Sequence, residues 1–232
     1  LKYSLVFLAL ATANVFAGLA AWDVLGWGSV LFFGFAVTSG LLALAYAGVC
    51  GRGLGKRADG RHSVAGWAAF GPYFLLSVAT FWAYRCFSRE CAFARVVPNL
   101  YFGRRLTPGE ARAVTWVRVL DLAAEFTETR PLRESPGYRS IPVLDTTAPT
   151  ESQLRAAIGE IEAGVRSGPV YVHCALGHGR SACVVVAYLL STGHVARAAD
   201  GVRLLRSLRP GVRLNAAQNR GARAFESGGP EA

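Results

Sequence analysis

The sequence predicts an α/β fold, a central and mainly parallel sheet flanked by helices, preceded by two to three transmembrane helices. Three observations carry that expectation. Long uncharged apolar stretches fill most of the first 90 residues, and short β-rich runs then alternate with helical periodicities to about residue 225. One strand, one glycine-bearing loop and one apolar helix meet at His173–Ser181. The expected boundaries are a membrane region at 1–90 and a soluble domain at 95–228. The chain is 52% hydrophobic and only 17% charged over 232 residues, too apolar for one soluble domain. Few of its 25 Lys and Arg residues fall in the first 90 positions, so the remainder has the charge of an ordinary globular domain and the length for one core.

The apolar stretches are Leu5–Ala21, Gly28–Cys50 and Val64–Tyr84, all without a charged residue and each about long enough to cross a hydrocarbon core of roughly 30 Å. The expected spans are about 4–21, 29–50 and 64–84. A cleaved signal peptide is the alternative for the first. With only Lys2 before it and a second apolar stretch close behind, a retained span fits better. Trp22, Trp27, Trp82 and Tyr84 sit where interfacial aromatics belong, although helix packing accounts for them equally well. Three crossings would put Lys2 and the loop Gly51–Ser63 on one side and the residues beyond 84 on the other. The basic residues then tie, with Lys2, Arg52, Lys56, Arg57 and Arg61 against Arg85, Arg89, Arg95, Arg104 and Arg105. A re-entrant Val64–Tyr84, interrupted at Gly71-Pro72, would leave both basic stretches on one face.

Phe87–Val97 reads as a mixed linker and Asn99–Arg105 as a strand and turn. Thr107-Pro108-Gly109-Glu110 has the cap, the proline and the acid of a helix start, for a helix reaching about Trp116. Arg118–Leu122 alternates as a strand. Ser140–Leu144 is a second strand, in which Pro142 marks an edge or a terminus. The loop Asp145–Pro149 follows, then a helix from Thr150 to about Arg166 with Leu154, Ile158, Ile161 and Val165 at helical spacing. Strand Val170–His173 leads into the loop and the helix Ser181–Leu190. Helices at Ala196–Leu208 and Asn215–Phe225 complete the chain, and Glu226–Ala232 is expected to fray.

Backbone N–H groups and a helix N-terminus converging at one point bind an oxyanion such as phosphate. Cys174 stands at the mouth of that cradle. A thiol attacks as its thiolate, which a helix N-terminus and a nearby guanidinium both favour. Arg180 offers a planar fork for two phosphate oxygens, and Gly177 and Gly179 permit the backbone angles of such a loop. The leaving group needs a proton donor on a separate segment. Asp145 follows a strand and opens a loop of small residues; Asp121, at another strand end, is the rival, with a structural role as its alternative. The odd set Cys50, Cys86, Cys91, Cys174 and Cys183 has no metal-ligand spacing, so neither a disulfide framework nor a metal site is expected, and Cys183 reads as a buried apolar residue. The net charge of +10 suits anionic headgroups or phosphorylated substrates. Nucleic acid is not expected, because the basic residues are scattered and no binding motif accompanies them.

The pattern Cys174-x5-Arg180-Ser181 with His173 before it resembles the signature of the cysteine-based protein tyrosine phosphatases, most closely the dual-specificity branch, over about residues 95–225. The resemblance implies a tyrosine-phosphatase-like fold and a phosphocysteine intermediate, with no cofactor. It makes His173, Ala175, Leu176, Gly177, His178 and Gly179 the phosphate-binding loop, with His173 orienting it. Ser181 would assist departure of the sulfur. The family places its acid where Asp145 stands, and the same carboxylate, ionised, would then activate water. The stretch Arg209–Gln218 is similar to the family's late loop, in which Gln218 or Asn215 would position that water; a plain surface amide is the alternative for each. His178 would either help select substrate or face solvent. Ala175, Leu176 and His178 depart from the basic residues that lipid-phosphatase relatives often carry there.

The expected function is a membrane-anchored phosphomonoester hydrolase of protein tyrosine or dual-specificity type. The alternative is a phospholipid phosphatase of phosphatidylglycerophosphate or phosphoinositide type, and a phosphate-binding module without activity is disfavoured by the complete Cys, Arg and Asp set. The expected partners are a phosphorylated protein or phospholipid and the membrane, with the oligomeric state open. A free thiol needs a reducing compartment, which puts the catalytic domain in the cytoplasm.

Overall fold

A computed structural model of the chain describes residues 2–49 and 53–226. Cys50, Arg52 and the tail after Glu226 lie outside the described residues. Helix α1 (Lys2–Ala20), the short α2 (Trp22–Leu25) with a following 3-10 turn, and α3 (Val30–Ala47) make an antiparallel hairpin. The Ser4 hydroxyl donates to Ala43 O at 2.9 Å near one end. Near the other end Gly18 packs against Phe32 and Phe33, at a distance where a Cβ would meet Phe33 at 3.0 Å. Helix α4 (Val64–Phe87) starts at Ser63, whose hydroxyl accepts from Gly66 N. All three long helices are apolar and long enough to cross a membrane.

The chain then runs β1 (Phe93–Val97), β2 (Leu100–Arg104), α5 (Pro108–Arg112), β3 (Arg118–Ala123), α6 (Arg130–Arg133) and β4 (Gly137–Val143). It continues with α7 (Glu151–Val165), β5 (Val170–Cys174), α8 (Arg180–Ser191), α9 (Ala198–Leu208) and α10 (Ala216–Arg223). The five strands form one sheet in the order β1-β2-β5-β3-β4. Only β1 and β2 pair antiparallel; β2–β5, β5–β3 and β3–β4 are parallel, which makes the sheet mainly parallel as expected. β4 is an edge strand, which tolerates Pro142.

Three elements depart from the sequence reading. The expected linker at 87–97 contains β1, because Asn99 adopts a left-handed conformation (φ 63°) and reverses the chain into a hairpin. Helix α5 has the full capping box between Thr107 and Glu110 but stops at Arg112 instead of about Trp116. Trp116 leaves the helix to stack on Tyr171, with ring centroids 4.7 Å apart, so burial of a large aromatic overrides helix continuation. The short α6 was not foreseen. The core lies between the sheet and the central helix α8, which is buried from Arg180 to Leu190, with Leu154, Ile158 and Ile161 of α7 against it.

Candidate active site

β3 and β5 run parallel, so their C-terminal ends open on the same edge of the sheet, where α/β folds bind ligands. β5 ends at Cys174 and α8 begins at Arg180, leaving only Ala175–Gly179 to turn between them. Gly177 (φ 79°) takes a left-handed conformation there, and a side chain would run into Arg209 and the Gly103 carbonyl. Gly179 faces the Gln218 amide, which a Cβ would meet at 3.0 Å. The Cys174 sulfur accepts from Gly177 N at 3.3 Å and lies 3.5 Å from the Ser181 hydroxyl.

Arg180 is buried, and its two terminal nitrogens form a fork on Glu125 at 2.6 and 2.7 Å, with a further bond to Val143 O at 2.8 Å. Burial alone would disfavour the guanidinium charge; Glu125 and Asp145 outweigh it and push the pKa up. The Asp145 carboxylate rests 3.0 Å from Arg180 Nη2 and is half exposed. The loop that carries Asp145 is tied down by two amides: Asn215 donates to Thr146 O at 2.6 Å and Gln218 to Thr147 O at 2.9 Å. The same two residues form the capping box of α10. Cys174, Arg180, Asp145, Asn215 and Gln218 thus line one cleft, together with Tyr3 of α1.

Asp121, the rival acid, is fully buried and bonded to Lys56 Nζ at 2.6 Å and to the Tyr138 hydroxyl at 2.7 Å. Burial works against its charge, but Lys56 and His173 more than compensate and lower its pKa. Asp121, Glu128 and His173 bring three possible metal ligands within 4.8 Å of one another, but the Lys56 ammonium already supplies the cation at Asp121. His173 stacks on Tyr171, and its Nε2 lies 3.6 Å from Glu128, so neither ring nitrogen reaches the loop with a hydrogen bond. His178 lines the same cleft, with its Nε2 held 2.6 Å from Glu90. Cys183 is buried, and burial pushes its thiol up to about 12, outside reactive range.

Three residues at the site had no role in the sequence reading. Glu125 ends an apolar run just beyond β3, and a carboxylate in that setting is the one available signal for it. Arg209, buried, donates to Leu176 O and to Glu90, both at 3.1 Å, and so braces the loop from behind. Phe81 of α4 clusters with Ala123 and Phe126, and Ala175 and Leu176 pack against that cluster. The apolar pair in the loop is therefore a packing surface for α4.

Residues 114–227 match the family model described as dual specificity phosphatase, catalytic domain. No curated protein matches the chain. Among solved structures, Tk-PTP in its active form is 25% identical over 58% of this chain and 96% of that one, with a TM-score of 0.54. Human DUSP28 is 21% identical over 59% and 94%, with a TM-score of 0.51. PTPMT1 in complex with PI(5)P is 18% identical over 58% and 94%, with a TM-score of 0.50. The last two share the fold. With a dual specificity phosphatase catalytic domain matched across the loop and its neighbours, on a tyrosine-phosphatase-like fold, this chain carries a cysteine-dependent phosphatase domain similar to the dual specificity phosphatases.

Proposed function

We propose that the protein is a membrane-anchored phosphomonoester hydrolase whose substrate is a phosphate monoester on a membrane lipid. The Cys174 thiolate attacks phosphorus, the P–O bond to the leaving group breaks, and Asp145 gives that oxygen its proton. In the second step the Asp145 carboxylate takes a proton from water, which attacks the phosphocysteine. The S–P bond breaks to release inorganic phosphate, with the Ser181 hydroxyl near enough to stabilise the departing sulfur. Because Glu125 occupies the Nη1/Nη2 fork of Arg180, the remaining Nε/Nη2 edge is the one that takes phosphate, and the incoming anion displaces Asp145 from Nη2.

The observation that carries the lipid reading is the wall of the cleft. Tyr3 of α1 stands beside Cys174, and Tyr73, Ser77 and Thr80 of α4 line a neighbouring hollow with Asp145, Ala175 and Leu176. The Tyr46 hydroxyl at the base of α3 donates to Asp145 O at 3.0 Å. A headgroup phosphate reaches a cleft framed by three apolar helices without leaving its bilayer. Phosphatidylglycerophosphate and phosphoinositide monoesters both fit this chemistry. A phosphotyrosine or phosphoserine protein is the second reading, favoured by the family match and by the lack of basic side chains at Ala175 and Leu176.

The test is turnover by the full chain in liposomes, with phosphatidylglycerophosphate, phosphoinositides and phosphopeptides assayed side by side. The expected result is a higher kcat/KM for a lipid monoester than for any peptide. A peptide preference would overturn the lipid reading, and loss of all turnover in a folded protein would overturn the hydrolase itself.

A further inference from the structure

The third apolar helix has the length and composition of a membrane span, but its contacts are not those of one. We propose that α4 lies along the membrane surface, its outer face in the acyl region and its inner face on the phosphatase domain, so that only the α1–α3 hairpin crosses the bilayer.

The contacts begin before the helix. In the loop 53–63, Lys56 Nζ bonds Asp121 at 2.6 Å and Ala123 O at 2.5 Å, and both side chains of the ion pair are fully buried. His62 Nε2 lies 2.8 Å from Ala124 O, and Glu128 N donates to Gly60 O at 2.9 Å. They continue along α4. Phe74 shares a buried cluster with Ala124 and Leu144, and the Phe81 ring lies 5.6 Å from that of Phe126. At the far end the Tyr84 hydroxyl is 3.4 Å from His178 Nε2, and Arg85 pairs with Glu110 at 3.0 Å. The domain therefore accompanies the helix from its N-cap to its last turn.

A 24-residue helix at about 1.5 Å per residue is roughly as long as the hydrocarbon core is thick. Were α4 to cross, the loop 53–63 would lie on the far side from the segment after Phe87. The domain could touch both only by entering the bilayer. That would carry Asp121, Glu125 and Arg180 to hydrocarbon depth, where charged side chains are strongly disfavoured. With α4 in the plane, no charge enters.

The outer face specifies its partner. Val64, Trp67, Leu75, Leu76, Trp82 and Phe87 are all exposed on α4, and no charged residue interrupts Val64–Tyr84. Such a face suits the acyl boundary of a bilayer. The charge pattern agrees. Arg57 and Arg61 before α4 then share one side with Arg85 and Arg89 after it, while the turn between α1 and α3 carries Asp23 and no basic residue. The tie among flanking basic residues becomes a one-sided distribution.

The experiment labels single cysteines in the full chain with a membrane-impermeant maleimide, in intact cells and after permeabilisation. All native cysteines, Cys174 included, are replaced by serine, and a cysteine is placed at one exposed position at a time. Asp23→Cys reports the hairpin turn, Ala58→Cys the loop before α4, and Ser207→Cys the phosphatase domain; Asp59→Cys repeats the loop reading if Ala58→Cys accumulates poorly. Positions 58 and 207 are expected on one side and position 23 on the other. Position 58 on the side opposite 207 would mean that α4 crosses and overturns the proposal. All three on one side overturns the two-crossing count. The pattern is read without turnover, so it stands or falls separately from the role of Cys174.

Discussion

Glu125 holds both terminal nitrogens of Arg180, at 2.6 and 2.7 Å, from just beyond the end of β3. The pair is buried, so it sets which edge of the guanidinium faces the cleft. Glu125→Ala leaves the buried Arg180 cation with only the half-exposed Asp145 as its counter-charge and is expected to cost about 3–5 kcal/mol of stability. Glu125→Gln keeps the shape but not the charge. It is expected to lower kcat/KM on p-nitrophenyl phosphate by about a hundredfold through a misaimed Arg180. Unfolding curves and steady-state rates in detergent read the two effects, and unchanged rates in Glu125→Gln would remove Glu125 from the positioning of Arg180.

In the proposed mechanism Asp145 leaves Arg180 Nη2 to protonate the departing oxygen, so the effect of losing it is expected to depend on the leaving group. General acids contribute about 10²–10⁴ in rate where the departing oxygen is basic. Asp145→Asn should therefore slow an alkyl phosphate by at least about a hundredfold and p-nitrophenyl phosphate much less. Cys174→Ser should abolish vanadate-sensitive hydrolysis of both. Equal losses on the two substrates in Asp145→Asn would move the acid elsewhere.

The order of β and α units was legible because it rests on local periodicity, and the phosphate loop because nine consecutive residues build it. Asp145 and Asp121 could also be separated by sequence, since one opens a loop of small residues and the other ends an apolar strand. What stayed hidden was long-range. Glu125, Arg209 and Glu90 act through partners 33 to 121 positions away, and no local pattern announces them. Ala175 and Leu176, whose lack of charge bears on the substrate, also seat Phe81, a contact that no local pattern announces. The strand β1 was missed because its turn depends on a single left-handed Asn99.

Lys56, one of only two lysines in the chain, is buried on Asp121, with Tyr138 as the carboxylate's other partner. Lys56→Met strands a buried carboxylate and is expected to destabilise the protein by about 3–5 kcal/mol, whereas Lys56→Met with Asp121→Asn should recover part of that loss. Thermal unfolding of both in detergent checks the coupling. A double variant no more stable than Lys56→Met would mean that the two side chains do not act as a pair.

Glu110 joins α4 to the domain through Arg85 while bonding Arg104 and the Thr107 amide. Partial burial works against its charge, but these donors prevail and hold its carboxyl at about 2, down from 4.5. A carboxylate depressed in the folded state contributes stability that is complete above the unfolded value and is lost as pH falls through the folded one. The stability gap between the natural protein and Glu110→Gln is therefore expected to be widest above pH 4.5 and to close as pH falls toward about 2. Denaturant titrations across that window measure it. High salt should narrow the gap as well, because the ion pairs are partly exposed and screening reaches them. A gap that stays constant through the window would mean that Glu110 acts through packing and hydrogen bonds of its neutral form, and that charge does not fasten α4 at this end.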